Sequence, residues 1–97
     1  MINNRQKAQL KGLASTLEIK YQVGKNEITD SLIDVLTNAL RAHELIKIDV
    51  MKGYSGSINE LAIDLSVRLN AEIVQVVGRT IILYKKNKDN PKIKLVK

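Results

Sequence analysis

The stretch Ile19-Lys20-Tyr21-Gln22-Val23-Gly24-Lys25-Asn26-Glu27-Ile28-Thr29-Asp30-Ser31-Leu32 decides the fold. Residues 19–23 read as a strand, ended by Gly24. Thr29 reads as an N-cap, with Asp30 favourable in the first turn of the helix that follows. Leu32, Ile33, Leu36, Ala39 and Leu40 form the apolar stripe of that helix, which ends near His43. A strand therefore runs through a Gly-Lys loop into a helix. Glycine lets another backbone approach closely, lysine supplies charge, and a helix N-terminus presents unpaired N–H groups. Together these can hold a phosphate without base-specific chemistry. An ordinary strand-to-helix turn is the other reading of the same residues.

Upstream, residues 5–17 have the spacing of an amphipathic helix, with Leu10, Leu13, Ala14 and Leu17 on one side. Asn3 or Asn4 is suited to cap it, and Lys7 and Lys11 share another face. Downstream, residues 45–51 alternate as a strand with Ile46, Ile48 and Val50 on one face. Ser57-Ile58-Asn59-Glu60 has the capping-box pattern and opens a third helix, buried through Leu61, Ala62, Leu65 and Leu69. Asn70 is suited to a left-handed cap at its end. Residues 72–77 and 80–84 are strands separated by Gly78-Arg79, the pattern of a type II′ hairpin turn. The order α-β-α-β-α-β-β predicts one domain over residues 1–97. Its architecture is a two-layer α/β sandwich with a four-stranded mixed sheet and helices mainly on one face. Residues 86–97 are lysine-rich, contain Pro91, and are expected to form a loosely ordered basic tail.

The 97 residues carry a formal net charge of +6, which favours polyanions. No cysteine is present, so disulfides, thiolate metal sites and cysteine nucleophiles are excluded. The single histidine, His43, sits where a helix C-terminus favours its cation, with no nucleophile or metal partner apparent in sequence. No catalytic constellation is visible, so the expectation is a non-enzyme without metal or cofactor. Tyr21, Tyr54 and Tyr84 are too few and scattered to make a base-stacking platform, and Tyr84 reads as a strand residue packing on the core. Glu60, Asp64 and Glu72 read as a solvated acidic face. No apolar run approaches the ~20 residues of a membrane span. The polar start, Met1-Ile2-Asn3-Asn4-Arg5, is unlike a signal peptide, so a cytoplasmic location without membrane attachment is expected.

Several short pieces, in this order and spacing, resemble the CRM-domain, or YhbY-like, RNA-binding family. They are Arg5-Gln6-Lys7 with Leu13-Ala14, Val23-Gly24-Lys25-Asn26, and Ala39-Leu40 with His43-Glu44-Leu45-Ile46-Lys47. Val74-Gln75-Val76-Val77-Gly78 and Leu83-Tyr84 complete the set. The resemblance implies a fold like the C-terminal domain of translation initiation factor three. It implies a sheet order of 1-2-4-3 with the last strand antiparallel to the others. Free-standing bacterial members are associated with precursors of the large ribosomal subunit, and plant relatives act in group II intron splicing. The resemblance thus implies a bacterial, monomeric ribosome-biogenesis factor whose partner is ribosomal RNA or a pre-ribosomal particle. Gly24, Lys25 and Asn26 would grip phosphates, and Arg5, Lys7 and Lys11 would extend the basic surface. The family's central motif is a GxxG loop. Gly24 is its first glycine here, and Glu27 stands in place of the second. A carboxylate beside a phosphate supports an alternative, a protein-interaction module of the same fold with weakened RNA binding.

Overall fold

A computed structural model of the chain describes residues 2–19, 21–24 and 28–96. The elements follow as α1 (Asn4–Ala14), β1 (Tyr21–Val23), α2 (Asp30–His43), β2 (Leu45–Val50), α3 (Ile58–Leu69), β3 (Glu72–Val77) and β4 (Thr80–Tyr84). They build a four-stranded sheet in the order β1-β2-β4-β3. The β1–β2 pair is parallel, and β4 runs antiparallel to both its neighbours.

Local chemistry sets the boundaries. Asn3 caps α1 in a reciprocal box, its side chain accepting from the Gln6 N–H while the Gln6 side chain accepts from the Asn3 N–H, both at 2.9 Å. The helix stops at Ala14, three residues earlier than the apolar spacing predicts. Ser15 and Thr16 turn their hydroxyls back onto the carbonyls of Gly12 and Leu13, which competes with further helix. Thr29 caps α2 and Ser57 caps α3, each accepting from the N–H three residues on. Asn70 ends α3 with φ of 53°. Gly78 has φ of 58° at the first position of the β3–β4 turn, as a type II′ connection needs.

Strand alternation splits the core in two. One face of the sheet packs Val23, Ile46, Ile48, Val50, Ile81 and Leu83 against Leu36, Ala39 and Leu40 of α2 and Leu61, Ala62, Leu65 and Leu69 of α3. The other face packs Leu45, Val74, Ile82 and Tyr84 against Leu10 and Ala14 of α1, with Ile93 and Leu95 of the tail. Each fully buried Leu or Ile contributes roughly 1.5–3 kcal/mol. In β3 the register shifts between Ile73 and Gln75, so Val74 is an inserted residue and the inward sequence continues at Val76.

The tail has no regular secondary structure, but its path is held by specific bonds. The Gln6 and Gln9 amides donate to the Val96 and Lys94 carbonyls at 2.8 Å, and the Val96 N–H returns a bond to Gln9 at 2.9 Å. The main anchor is Glu44, which is fully buried and has φ of 63°. Its carboxylate accepts the N–H groups of Asn87, Lys92 and Ile93 at 2.7, 2.5 and 2.7 Å.

Candidate functional site

The two ends of the sheet differ in what they carry. Leu45 and Glu72 both pair with Tyr84, so the starts of β2 and β3 and the finish of β4 share one end. Gly24 leaves from the other end, beside Val50 and the β3–β4 turn. The Met51 N–H donates to the Val23 carbonyl at 2.9 Å and the Val50 N–H to the Arg79 carbonyl at 2.8 Å.

Gly24 is exposed, and a Cβ there would meet only the Met51 sulfur at 3.9 Å. Its φ is not in the left-handed region. Among the described residues, therefore, nothing demands glycine at this position. Lys25, Asn26 and Glu27 lie outside the described residues. At the start of α2, Thr29 already occupies the Leu32 N–H at 3.1 Å, and Asp30 adds a negative charge. The helix terminus is thus poorly suited to bind an anion unaided.

Arg79 is a feature of this end that reading the sequence missed. It served there only as half of a turn. In the structure its guanidinium donates from Nε to the Val50 carbonyl at 2.9 Å and from Nη2 to the Met51 carbonyl. It ties the hairpin turn to the segment that leaves β2, next to Gly24. No local sequence signal marks this contact, because its partners are about thirty residues away.

Arg5 and Lys11 are exposed on α1, and Lys7 is partly buried there. The buried side of α1 contacts the far end of the sheet, with Leu10 and Ala14 against Leu45, Val74, Ile82 and Tyr84. Leu45 and Val50 lie five strand steps apart, roughly 17 Å. The Gly24 end of the sheet and the α1 surface, on the opposite face from α2 and α3, are therefore separate places rather than one continuous surface. Beside α1 lies a groove of about 530 Å³, whose lining includes Leu13, Leu17, Tyr21, Leu45 and Ile93. Lys47 crosses its floor, donating to the Leu17 carbonyl at 3.3 Å.

Electrostatics single out Glu44. Burial alone raises a carboxyl pKa, but three backbone donors and the nearby Lys86 charge outweigh it, and the net shift is downward. Tyr84 is shifted upward, by burial first and then by the Glu44 charge. Among the described residues, no group of three or more His, Asp or Glu side chains is placed to hold a metal. No described helix is long and apolar enough to cross a membrane.

A model of the CRS1 / YhbY (CRM) domain matches residues 2–85, which includes all seven elements. The chain belongs to the CRS1/YhbY (CRM) domain family. It is 37% identical over 95 residues to the Bacillus subtilis (strain 168) probable RNA-binding protein YqeI, covering 98% of this chain and 99% of that one. It is 36% identical over 89 residues to an RNA-binding protein of Haemophilus influenzae, covering 91% of this chain and 89% of that one. The solution structure of a hypothetical Staphylococcus aureus protein, proposed to bind RNA, superposes with a TM-score of 0.83 at 34% identity. That match covers 99% of this chain and 100% of the other. The CRM fold, with its 1-2-4-3 sheet, is thus the frame that separates the Gly24 end from the α1 surface.

Proposed function

We propose that this CRM protein binds RNA through the phosphate backbone, without catalysis, and serves as a cytoplasmic ribosome-assembly factor on the large-subunit precursor. The observation that carries RNA binding is that relatives named as RNA-binding align over nearly the whole chain, which itself bears a net charge of +6. The ribosomal role rests on the resemblance to free-standing bacterial members of the family. Gly24, Lys25 and Asn26 would contact phosphates at one end of the sheet, while Arg5, Lys7 and Lys11 would steer the strand across α1. With few aromatics, binding leans on phosphates and discriminates sequence weakly.

The test is fluorescence anisotropy with single-stranded RNAs of unrelated sequence at several salt concentrations. Neutralising ~4 phosphates gives a slope of log K against log salt of about −3. Lys25→Ala should weaken binding to every RNA in the panel, because a point charge on a flexible stem reads phosphate rather than base edges. A slope near zero overturns RNA binding. Crosslinking in cells, followed by sequencing of the attached RNA, tests the ribosomal assignment. The second reading, a protein-interaction module, is favoured by Glu27, and competition by polyanions separates it from the first.

A further inference from the structure

At the end of the sheet away from Gly24, on the side of α2 and α3, lies a cleft of about 310 Å³ that the sites above do not include. Arg41 of α2, Lys85 at the finish of β4, and Lys86 and Lys88 of the tail line it, together with Thr37 and Asn70. Its volume lies within the range of small-ligand cavities. Four cations converge on it, and no acidic side chain lines it. Lys85 donates to the Leu69 carbonyl at 3.1 Å, which uses one of its three N–H bonds. Among the described residues, the side chains of Arg41, Lys86 and Lys88 have neither an ion pair nor a hydrogen bond.

The cleft is a built feature of the fold. Glu44 holds the backbone of Asn87 on one side and of Lys92 and Ile93 on the other. The Asn87 side-chain amide donates to the Arg41 carbonyl at 2.9 Å and its carbonyl oxygen accepts from the N–H groups of Asp89 and Asn90. The backbone that carries Lys86 and Lys88 is thereby held on either side of Asn87, and both lysines line the cleft with Arg41. The Glu44 carboxylate meets part of the Lys86 charge; the like charges that remain repel, and a partner anion relieves that repulsion.

We propose that this cleft is a further phosphate-contact site for RNA, with Arg41, Lys86 and Lys88 as the contacting residues and Glu44 as the residue that positions the last two. The inference rests on the RNA-binding reading, and it turns part of the basic tail from a diffuse arm into one wall of a defined site. Bound there, an RNA strand touches the protein at the end opposite Gly24.

The test compares two doubly substituted proteins of equal charge, Lys86→Gln/Lys88→Gln and Lys92→Gln/Lys94→Gln, together with Arg41→Gln. The probe is a single-stranded oligouridylate, titrated by anisotropy across a salt series. The 86/88 pair is expected to lose about tenfold in affinity near 0.1 M salt and to flatten the salt slope by about 1.4, the value for two phosphates on a single strand. Arg41→Gln flattens it by about half as much, and the 92/94 pair has a clearly smaller effect. Equal losses from the two pairs show that the tail acts through net charge alone and overturn the cleft. No loss from the 86/88 pair or from Arg41→Gln also overturns it. If the unsubstituted protein fails to bind the probe at any salt, the RNA-binding reading itself falls.

Discussion

The Glu44 carboxylate accepts the Ile93 N–H at 2.7 Å across 49 positions of the chain. The same residue closes α2, its own N–H donating to the Leu40 carbonyl at 2.8 Å, and its carbonyl takes the Lys85 N–H at 2.9 Å. One side chain thus joins the α2–β2 corner to the tail, and it does so from a left-handed backbone conformation that a non-glycine residue adopts at a cost.

Replacing Glu44 leaves three part-buried N–H groups without their acceptor. A buried unpaired group costs about 1–3 kcal/mol and less where water reaches it, so Glu44→Ala is expected to destabilise the protein by about 2–3 kcal/mol. Glu44→Gln keeps one oxygen but turns an NH₂ towards donors, and is expected to cost nearly as much. Urea unfolding measures both. A loss under 1 kcal/mol for Glu44→Ala contradicts the anchoring role.

Glu44 also sets a pH dependence. Its pKa is lower in the folded than in the unfolded protein, so its contribution is present above the ordinary carboxyl pKa and is lost as pH falls through the folded value. Tyr84 behaves oppositely: its raised pKa contributes stability below about pH 10, lost as pH rises through the folded value. Because the Glu44 charge helps to raise Tyr84, Glu44→Gln should lower the Tyr84 pKa. Ultraviolet titration of phenolate in the two proteins checks this, and an unchanged Tyr84 titration rules the coupling out.

Arg79→Ala removes the donors to the Val50 and Met51 carbonyls. A charged hydrogen bond contributes about 1.5–3 kcal/mol, less where solvent reaches it, so a loss of about 1–2 kcal/mol is expected. Faster amide exchange should be confined to the segment after β2 and the β3–β4 turn. If exchange there is unaltered, the guanidinium does not hold this end together.

Glu27 stands where the family has the second glycine of its loop. If RNA contacts the loop as proposed, Glu27→Gly removes a negative charge and a side chain there, and is expected to tighten RNA binding by about 1 kcal/mol, the scale of one near-surface charge pair. Glu27→Gln should recover only the electrostatic part, shrinking as salt rises. Anisotropy at two salt concentrations separates the two effects. Variants that bind no better than the parent remove Glu27 from the contact surface.

Features written in adjacent residues were legible in the sequence. Thr29, Ser57, Asn70 and Gly78 act over one turn each, and the structure has each in the predicted role. Features created by distant pairing were not. Ile19 reads as strand, yet β1 begins at Tyr21 opposite Ile48, and Ile19 stays exposed. The inserted Val74 breaks a period-2 pattern that the residues of β3 otherwise suggest. The lysine density of the tail says nothing about Glu44, whose bonds to Asn87, Lys92 and Ile93 appear only once α2 and β2 are in place. For the candidate site, Gly24 was legible as a loop glycine, whereas Arg79 needed the fold to bring it to Val50.

The Glu44 anchor has a consequence for the order of folding. The described strands and helices all precede Lys85, so the sheet can pair before residues 87–93 dock. Until they dock, the corner after α2 encloses a carboxylate without its donors. Docking of Asn87 through Ile93 is then the step that locks the molecule, and a pulse of protease during refolding should find the chain cleavable until that step is complete.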